Sequence, residues 1–478
     1  MRYKAPILIF LIGLIILSFW FYIKLVVFGI CGYTSDLFSH LQISKSWLEG
    51  RPLLFENAYG YHDKIHNYYF TPFLGLFTYF LGAYGLFAAQ FVIMMAGIYI
   101  FVQLYAKAPA GVEKKLLLIL LLAFYLGPSA FLICDDPDYG FHTELLYFPL
   151  SICLAAGLIS GKKWAFIIPA VFTILVKEDG VVLVTCIHLG WLFLNKNKLN
   201  GKFWKKAARI TVLWLAVFAA GLFLLMYKNG FGNSHLAISL ENVLRLKQDS
   251  WNIYFWPILR DFFISLVPVI LFLLLFIKWD KISGFLLLLL PLLVVQVYAS
   301  INYYSCTVFA LIWAPRFALL WGYAVAFILM AVLSGNINYR FGIKFHFAGI
   351  LVISALLYSL QIEGVKDYIH DYKRCTIGKE AFDNDADVQR VKKVILQFPR
   401  SYDVAIQNNY FALFPYNNIV WPDRFDSRWK DPEIILVDID TAEVLMEKFV
   451  SPYTRYNIGR FRFFIKPGVS FNLHYKNG

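Results

Sequence analysis

The chain has 478 residues, of which 59% are hydrophobic and only 16% are charged, whereas soluble domains carry roughly 25% charged residues. Several apolar runs approach or exceed the ~18 residues of a membrane span, so an ordinary soluble protein is excluded. The net charge of +13 comes almost wholly from residues 1–361, which hold 27 Lys and Arg against 15 Asp and Glu; a basic excess in the membrane part reports topology, so nucleic-acid binding is not indicated.

The apolar runs predict an α-helical polytopic membrane protein with about eleven transmembrane helices. The run at 70–81 is too short for a span and predicts an interfacial or re-entrant helix. The run at 6–27 is interpreted as a retained span, because it lacks a small-residue cleavage site. The predicted spans are about 6–27, 84–105, 116–133, 144–160, 164–177, 181–194, 208–227, 260–277, 282–300, 313–333 and 345–361.

The distribution of basic residues predicts the orientation. With a cytoplasmic N-terminus, the cytoplasmic segments hold 17 basic residues against two acidic ones, as the positive-inside rule requires. We therefore expect a protein of the plasma membrane, in a bacterium the inner membrane. Its large first loop (31–83) and its C-terminal domain are both extracytoplasmic.

Residues 362–478 predict a small α/β extracytoplasmic domain, separate from the transmembrane domain of residues 1–361. One helix is expected after Asp383–Asp385, which caps it. The expected strands are SYDVAIQ, NNIVW, PEIILVDID and RFRFFIK, and the expected helices are DADVQRVKKVILQF and TAEVLMEKF.

The stretch TSDLFSHLQISKSWLEGRPL predicts an amphipathic interfacial helix that ends at Gly50. Asp36 and His40 are four residues apart, so their side chains share one helical face. A carboxylate just outside the first span suits a general base or a metal ligand. The alternative is structural: Ser35 or Asp36 caps the N-terminus of this helix.

The run CDDPDYGFHTE concentrates ionisable side chains in the second outer loop: Asp135, Asp136, Asp138, His142 and Glu144. Clustered oxygen ligands suit a hard divalent cation such as Mg²⁺ or Mn²⁺. Clustered carboxylates also raise each other's pKa, which suits a proton acceptor. The alternative is a solvated turn broken by Pro137 and Gly140.

Lys177, Glu178 and Asp179 stand side by side between two short apolar runs. Ionisable groups at membrane depth need a protein-lined or watered cavity and are functional candidates. Lys177 then binds a phosphate and the two carboxylates orient it; alternatively, internal ion pairs only satisfy a tight turn. Arg316 at the outer end of a late span is a second candidate phosphate ligand, unless it merely snorkels to the interface.

Five stretches follow one another along the chain: SDLFSHLQISKSWLEGRPL, YFTPFLGLF, GFHTELLYFPL, LVKEDGVVLV, and VAIQNNYFALFPYNNIVWP with IILVDID. In this order they resemble one family of polytopic membrane proteins, called domain of unknown function 2079. Thr143 departs from the family pattern, which usually has proline there, and Tyr69-Phe70-Thr71-Pro72 replaces a common His-Phe-Ser-Pro type motif.

The resemblance implies a fold like that of the GT-C superfamily of integral-membrane glycosyltransferases. There, an acidic residue of the first outer loop acts in catalysis and the donor is a polyprenyl-phosphate sugar; Asp36 occupies the matching position. We therefore expect sugar transfer to a glycan, lipid or protein acceptor on the outer face. The rival functions are a transporter or flippase of a lipid-linked or anionic solute, and a non-catalytic assembly protein.

The expected roles divide the candidate residues into three groups. Asp36, Glu144 and Asp179 are expected in catalysis. A divalent cation, Mg²⁺ or Mn²⁺, is expected at Asp135, Asp136 and Asp138. The expected substrate-binding residues are His40, His142, Lys177, Glu178 and Arg316.

Overall fold

The described part of the chain is mostly helical and has a small C-terminal sheet. Within it, four helices are long and apolar enough to cross a membrane: Ala5–Gly29, Ala83–Lys107, Thr143–Ser160 and Gly201–Lys228. The molecule therefore has the apolar helices of a membrane protein. The computed structural model describes residues 4–29, 33, 35–57, 60–62, 66–109, 111–127, 130, 140–195, 200–229, 256–301, 317–338, 349, 383–406, 408–420, 431–438 and 452–469.

The prediction of eleven spans exceeds what these helices establish. Helices occur at ten of the eleven predicted positions, but some are short: Lys163–Val176 has 14 residues and Gly180–Leu194 has 15. At 1.5 Å per residue, such helices are shorter than a bilayer core of about 30 Å. The predicted span at 345–361 lies outside the described residues.

Some helices of the membrane part follow one another with short connections, such as α3 and α4, α6 to α8, and α10 and α11. The described α5 continues directly into a π-helical segment, Leu120–Tyr125. The bounds are α1 (Lys4–Gly29), α2 (Ser35–Lys45), α3 (Thr71–Leu81), α4 (Ala83–Lys107), α5 (Val112–Ile119), α6 (Tyr147–Ser160), α7 (Lys163–Val176), α8 (Gly180–Leu194), α9 (Gly201–Asn229), α10 (Trp256–Phe276), α11 (Trp279–Ile301) and α12 (Phe317–Leu333).

Helix α12 lies at the centre of this packing. Its residues are apolar all round, which predicts a helix buried on every side. From Ala318 to Val332 the apolar side chains are at most 1% exposed. The Trp321 Nε1 donates to the carbonyl oxygen of Phe124 over 3.0 Å, and the two rings stack. Helices α6 and α8 pack against α12 and are thereby held side by side.

The first loop begins with α2, which continues as a 3-10 turn, Ser46–Glu49, and ends at Gly50 with φ 72°. The predicted end at Gly50 is confirmed. The predicted amphipathic exposure of this helix is wrong, because the side chains from Leu37 to Ser46 are all buried. Its placement at the membrane interface stays a prediction. Helix α3 covers one side at very close range: a Cβ on Gly75 would collide with the carbonyl oxygen of Ser44.

The C-terminal residues form a helix and a small sheet, as predicted. The sheet is mixed and has five strands, against the four expected. Asp385 caps helix α13 (Ala386–Ile395), accepting from the backbone N–H of Asp387 and Val388. The strand order is β4-β3-β5-β7-β6, with β3 parallel to β4 and β5, and β7 antiparallel to β5 and β6. The strands are β3 (Asp403–Ile406), β4 (Asn418–Val420), β5 (Ile434–Asp438), β6 (Thr454–Ile458) and β7 (Phe461–Ile465), besides a small hairpin of β1 (Phe55–Glu56) and β2 (Gly60–Tyr61) in the first loop.

The sequence analysis missed strand β6. Its residues are mostly exposed and polar at the edge of the sheet, so they lack the apolar alternation that marks a half-buried strand. The predicted helix TAEVLMEKF lies outside the described residues.

The sheet domain docks onto the first loop. The Gln42 Nε2 donates to the carbonyl oxygen of Ile419 over 2.9 Å, and the Lys45 Nζ to that of Tyr416 over 2.6 Å. The Ala83 backbone N–H donates to the carbonyl oxygen of Pro415 over 2.7 Å. Helix α2 is therefore held between α3 and the C-terminal domain, which fixes the side chains that α2 carries.

Gly75→Ala tests this close contact of α2 and α3. Alanine favours a helix over glycine by about 0.5–1 kcal/mol, but the collision with Ser44 costs about 1–3 kcal/mol of overpacking. We expect a lower thermal unfolding midpoint in detergent, followed by tryptophan fluorescence. The matched control is Gly221→Ala in α9, whose new Cβ meets nothing nearer than 3.5 Å. Equal midpoints for the two variants would contradict the tight packing.

Candidate functional site

The first turn of α2 and the segment before α6 meet at the open end of a charged cluster. The Asp36 Oδ2 lies 3.6 Å from the His142 Nε2. The imidazole ring of His40, one helical turn after Asp36, lies 5.0 Å from that of His142, centroid to centroid. Asp36 keeps 38% of its side chain exposed, whereas His40 is buried. Asp36 is therefore the partly exposed carboxylate of this cluster.

Behind His142 lies a buried ion pair. The His142 Nδ1 is 3.5 Å from the Glu144 Oε2, and the Glu144 Oε1 is 2.9 Å from the Lys177 Nζ. The Glu144 and Lys177 side chains are only 4% and 10% exposed. Burying two charges is costly unless they are paired and hydrogen-bonded. A continuous row of charged and polar groups therefore runs from Asp36 through His142 and Glu144 to Lys177.

Tyr68 joins the parts of this row, and the sequence analysis did not find it. Its hydroxyl donates to the Glu144 Oε1 over 3.1 Å, and the Lys177 Nζ lies 5.8 Å from its ring centroid. Three imidazole rings also pack on it at 5.1–5.4 Å, those of His40, His62 and His66. The available signal was its position directly before the Tyr69-Phe70-Thr71-Pro72 motif.

A backbone contact holds Tyr68 in place. The Phe70 N–H donates to the carbonyl oxygen of Leu175 over 2.7 Å, which attaches the first loop to the last turn of α7. The loop that carries Tyr68 thus reaches the turn that carries Lys177.

All three charged side chains of the turn between α7 and α8 contact other protein groups. Lys177 pairs with Glu144. The Glu178 carboxylate accepts from the His66 Nδ1 over 2.9 Å and from the Asn67 N–H over 3.2 Å. Asp179 accepts a hydrogen bond from the Tyr147 hydroxyl. Each member of the turn is therefore fixed to a different segment of the chain.

The charge states of the outer groups follow from burial and from their partners. Burial raises the pKa of Glu178, but the charge and hydrogen bond of His66 outweigh it and lower the pKa to about 2. Burial lowers the pKa of His66 to about 4. At neutral pH, a neutral His66 therefore donates to an ionised Glu178.

The two aspartates differ in their pKa shifts. Burial raises the pKa of Asp179 to about 6. Burial also raises that of Asp36, but the hydrogen bond and charge of His142 reverse the effect and lower the pKa. Asp36 is therefore a carboxylate at neutral pH, and Asp179 is the carboxyl that titrates closest to neutrality.

Several predicted residues lie outside the described residues: Asp135, Asp136, Asp138 and Arg316. Among the residues that the structure describes, no group of three or more His, Cys, Asp or Glu is arranged to hold a metal ion. His62 and His66 instead pair with separate carboxylates, Glu56 and Glu178. The predicted divalent cation thus depends on the aspartates of the second outer loop and stays a prediction.

These contacts define a class of protein: a membrane protein in which the first loop, the segment before α6 and the α7–α8 turn form one cluster of ionisable groups, while a mixed-sheet domain docks on the first loop. No family model matches the chain, and no curated protein matches it. Membership of the domain of unknown function 2079 family stays a prediction.

A double-mutant cycle tests the ion pair. Lys177→Met leaves Glu144 buried without its cation and should cost about 3–5 kcal/mol, as should Glu144→Gln. The double variant removes both charges. Its loss of unfolding free energy should therefore be smaller than the sum of the two single losses, by about 0.5–3 kcal/mol. The unfolding midpoint in detergent measures each change.

The control cycle uses the more exposed pair Lys392–Asp383, whose charged atoms are 2.8 Å apart, against 2.9 Å in the buried pair. An exposed pair should couple by at most about 1 kcal/mol. Equal coupling energies in the two cycles would contradict the buried pair.

His66→Gln tests the pH dependence. In the folded state, the pKa of His66 is about 4, against an ordinary 6.5. The contribution of His66 to stability is therefore fully present above pH 6.5 and is lost as pH falls to about 4. Glutamine keeps a donor for Glu178 without titrating, so the variant's unfolding midpoint should fall less over this window.

Asp179→Asn should change the pH dependence of stability in the opposite direction. Its folded pKa of about 6 lies above the ordinary 3.8, so its contribution is present below 3.8 and is lost as pH rises to about 6. The unfolding midpoint of the asparagine variant should therefore fall more steeply than that of the wild type when pH drops through that window. Parallel midpoint-against-pH curves for all three proteins would contradict these assignments.

Proposed function

We propose that the protein is an integral-membrane glycosyltransferase of the GT-C type, which moves a sugar from a polyprenyl-phosphate donor to an acceptor on the outer membrane face. The observation that carries the proposal is the setting of Asp36. It is a partly exposed, ionised carboxylate at the open end of an otherwise buried row of charged groups. It also occupies the position of the catalytic acidic residue in the superfamily that the sequence resembles.

In the proposed reaction, Asp36 accepts a hydrogen bond from the acceptor hydroxyl and takes its proton as the hydroxyl oxygen attacks C1 of the sugar. The bond between C1 and the phosphate oxygen breaks, and its electron pair leaves with the lipid phosphate. A carboxylate of low pKa suffices, because oxocarbenium character at C1 lets proton transfer come late. His142, 3.6 Å away, orients Asp36 and keeps it ionised.

The proposal assigns Lys177 a positioning role. The sequence analysis expected it to bind the phosphate, but in the structure Glu144 engages its ammonium at 2.9 Å. Lys177 therefore fixes Glu144, which in turn holds His142. Arg316 is the remaining candidate for neutralising the departing phosphate.

The proposal includes the predicted topology of about eleven spans, with a cytoplasmic N-terminus and an outer C-terminal domain. The 17 basic residues of the predicted cytoplasmic segments support it. The C-terminal domain docks on α2, which carries Asp36 in its first turn. We assign this domain the role of covering the donor cavity or binding the acceptor.

Asp36→Asn tests the catalytic assignment. Asparagine keeps the shape of the side chain but cannot take the proton, and general-base catalysis contributes about 10²–10⁴-fold. We expect sugar transfer from radiolabelled polyprenyl-phosphate sugar to fall at least 100-fold in proteoliposomes. The unfolding midpoint should be nearly unchanged, since the side chain is partly exposed.

The matched control is Asp280→Asn, which changes an exposed carboxylate in the first turn of α11. Transfer that survives in Asp36→Asn removes Asp36 from catalysis. Flux of the lipid-linked sugar without transfer, in the wild-type protein, favours the transporter instead.

A further inference from the structure

A large apolar groove lies between helices α8, α9 and α11. Its volume is about 520 Å³, within the range of ordinary ligand pockets. Its walls are almost wholly apolar, and they include Leu189, Phe193, Trp204, Ala208, Val212 and Leu287. A hydrocarbon chain fits this lining better than a polar ligand does.

The groove is separate from the candidate site. Lys177–Asp179 stands immediately before the first turn of α8, whereas Leu189 and Phe193 belong to its last turns. Ten to fourteen residues of helix rise about 15–21 Å. The groove therefore lies toward the other end of the bundle, and the proposed transfer reaction does not use it.

The groove opens sideways, toward the surface that faces lipid. Val212 on α9 is 66% exposed and Leu287 on α11 is 64% exposed, and both line the groove. Neighbouring apolar side chains are exposed as well: Leu213, Leu215, Leu286 and Leu290. An acyl chain of the bilayer thus has lateral access.

Basic residues lie at the start of α9, beside Phe203 and Trp204 of the groove wall. Residues 201–209, at the start of α9, carry no acidic residue, and their basic side chains are all exposed: Lys202, Lys205, Lys206 and Arg209. On the opposite wall, the Lys281 Nζ lies 5.6 Å from the ring centroid of Phe193, which lines the groove. Asp280, 3.3 Å from Lys281, compensates only one of these charges.

The tryptophan at this end of the groove is typical of the depth at which lipid headgroups lie. Trp204 lines the groove and is 56% exposed. Tryptophan and basic residues concentrate at the interface between lipid and water. A basic pocket between membrane helices at this depth suits an anionic headgroup.

We propose that this groove binds an anionic glycerophospholipid, with an acyl chain between α9 and α11 and the phosphate near Lys202, Lys205 and Lys281. The apolar lining distinguishes this ligand from a free anion, which needs no such groove. The basic rim distinguishes it from a zwitterionic lipid, which gains little from four exposed cations at the start of α9.

The test compares two lipids with identical acyl chains, phosphatidylglycerol and phosphatidylcholine. Native mass spectrometry of the full-length protein in neutral detergent measures how many molecules of each stay bound. We expect several-fold preferential retention of phosphatidylglycerol. Lys202→Gln with Lys205→Gln should weaken that retention by roughly fivefold for each lysine, without affecting phosphatidylcholine.

The matched control is Lys162→Gln with Lys163→Gln. These lysines are also exposed beside an exposed tryptophan, Trp164, at the start of a helix, but that helix, α7, contributes no residue to the groove. Retention of phosphatidylglycerol should be unchanged in this variant. An equal loss in both double variants would overturn the proposal in favour of general electrostatic attraction.

A second variant tests the acyl chain. Ala208→Trp fills the groove from α9 and should reduce retention of both lipids, provided that its unfolding midpoint matches the wild type. If the midpoint falls, Thr211→Phe, one turn further along the same wall, replaces it. Full lipid retention in a folded, groove-filled variant would overturn the proposal.

Discussion

The buried contact of Glu144 with Lys177 determines how the rest of the cluster is arranged. Neither charge is stable at this depth alone, so each segment that carries one must bring the other with it. Glu144 lies in the turn that leads into α6, and Lys177 directly follows α7. Because α6 and α7 are successive helices joined by a short connection, the start of α6 and the end of α7 already lie side by side. The ion pair uses this proximity, and the first loop completes the polar shell through Tyr68.

The polar shell explains why three different segments converge here. Glu144 has hydrogen-bonding capacity beyond one lysine, and unsatisfied buried acceptors are costly. The Tyr68 hydroxyl fills one such position, while His142 approaches the second carboxylate oxygen. Glu178 likewise requires His66 and the Asn67 backbone. Satisfying two buried carboxylates therefore fixes the first loop, and with it the solvent-accessible Asp36.

Much of this arrangement could be predicted from the sequence, because charges inside apolar runs are rare enough to be informative. Asp36, His142, Glu144 and Lys177 were expected on one membrane face, and the structure brings these side chains together. Counting spans placed their loops on one side, but distances within the face needed the fold. Tyr68 could not be found in this way, since an aromatic residue in an aromatic-rich chain carries no periodic or charge signal.

The burial of α2 could not be predicted from the sequence either, and it changes how the role of Asp36 is understood. An amphipathic pattern alone predicts a helix lying on a surface, but Gly75 and the carbonyl groups of β4 and its preceding turn supply a second covering. With both sides covered, α2 cannot tilt to adjust the direction of its first turn. Asp36 is thus held rigidly at the exposed edge of the charged cluster, and the proposed reaction needs such a group to be positioned within about 0.5 Å. That rigidity is what a general base requires and what a helix lying loosely on lipid would not provide.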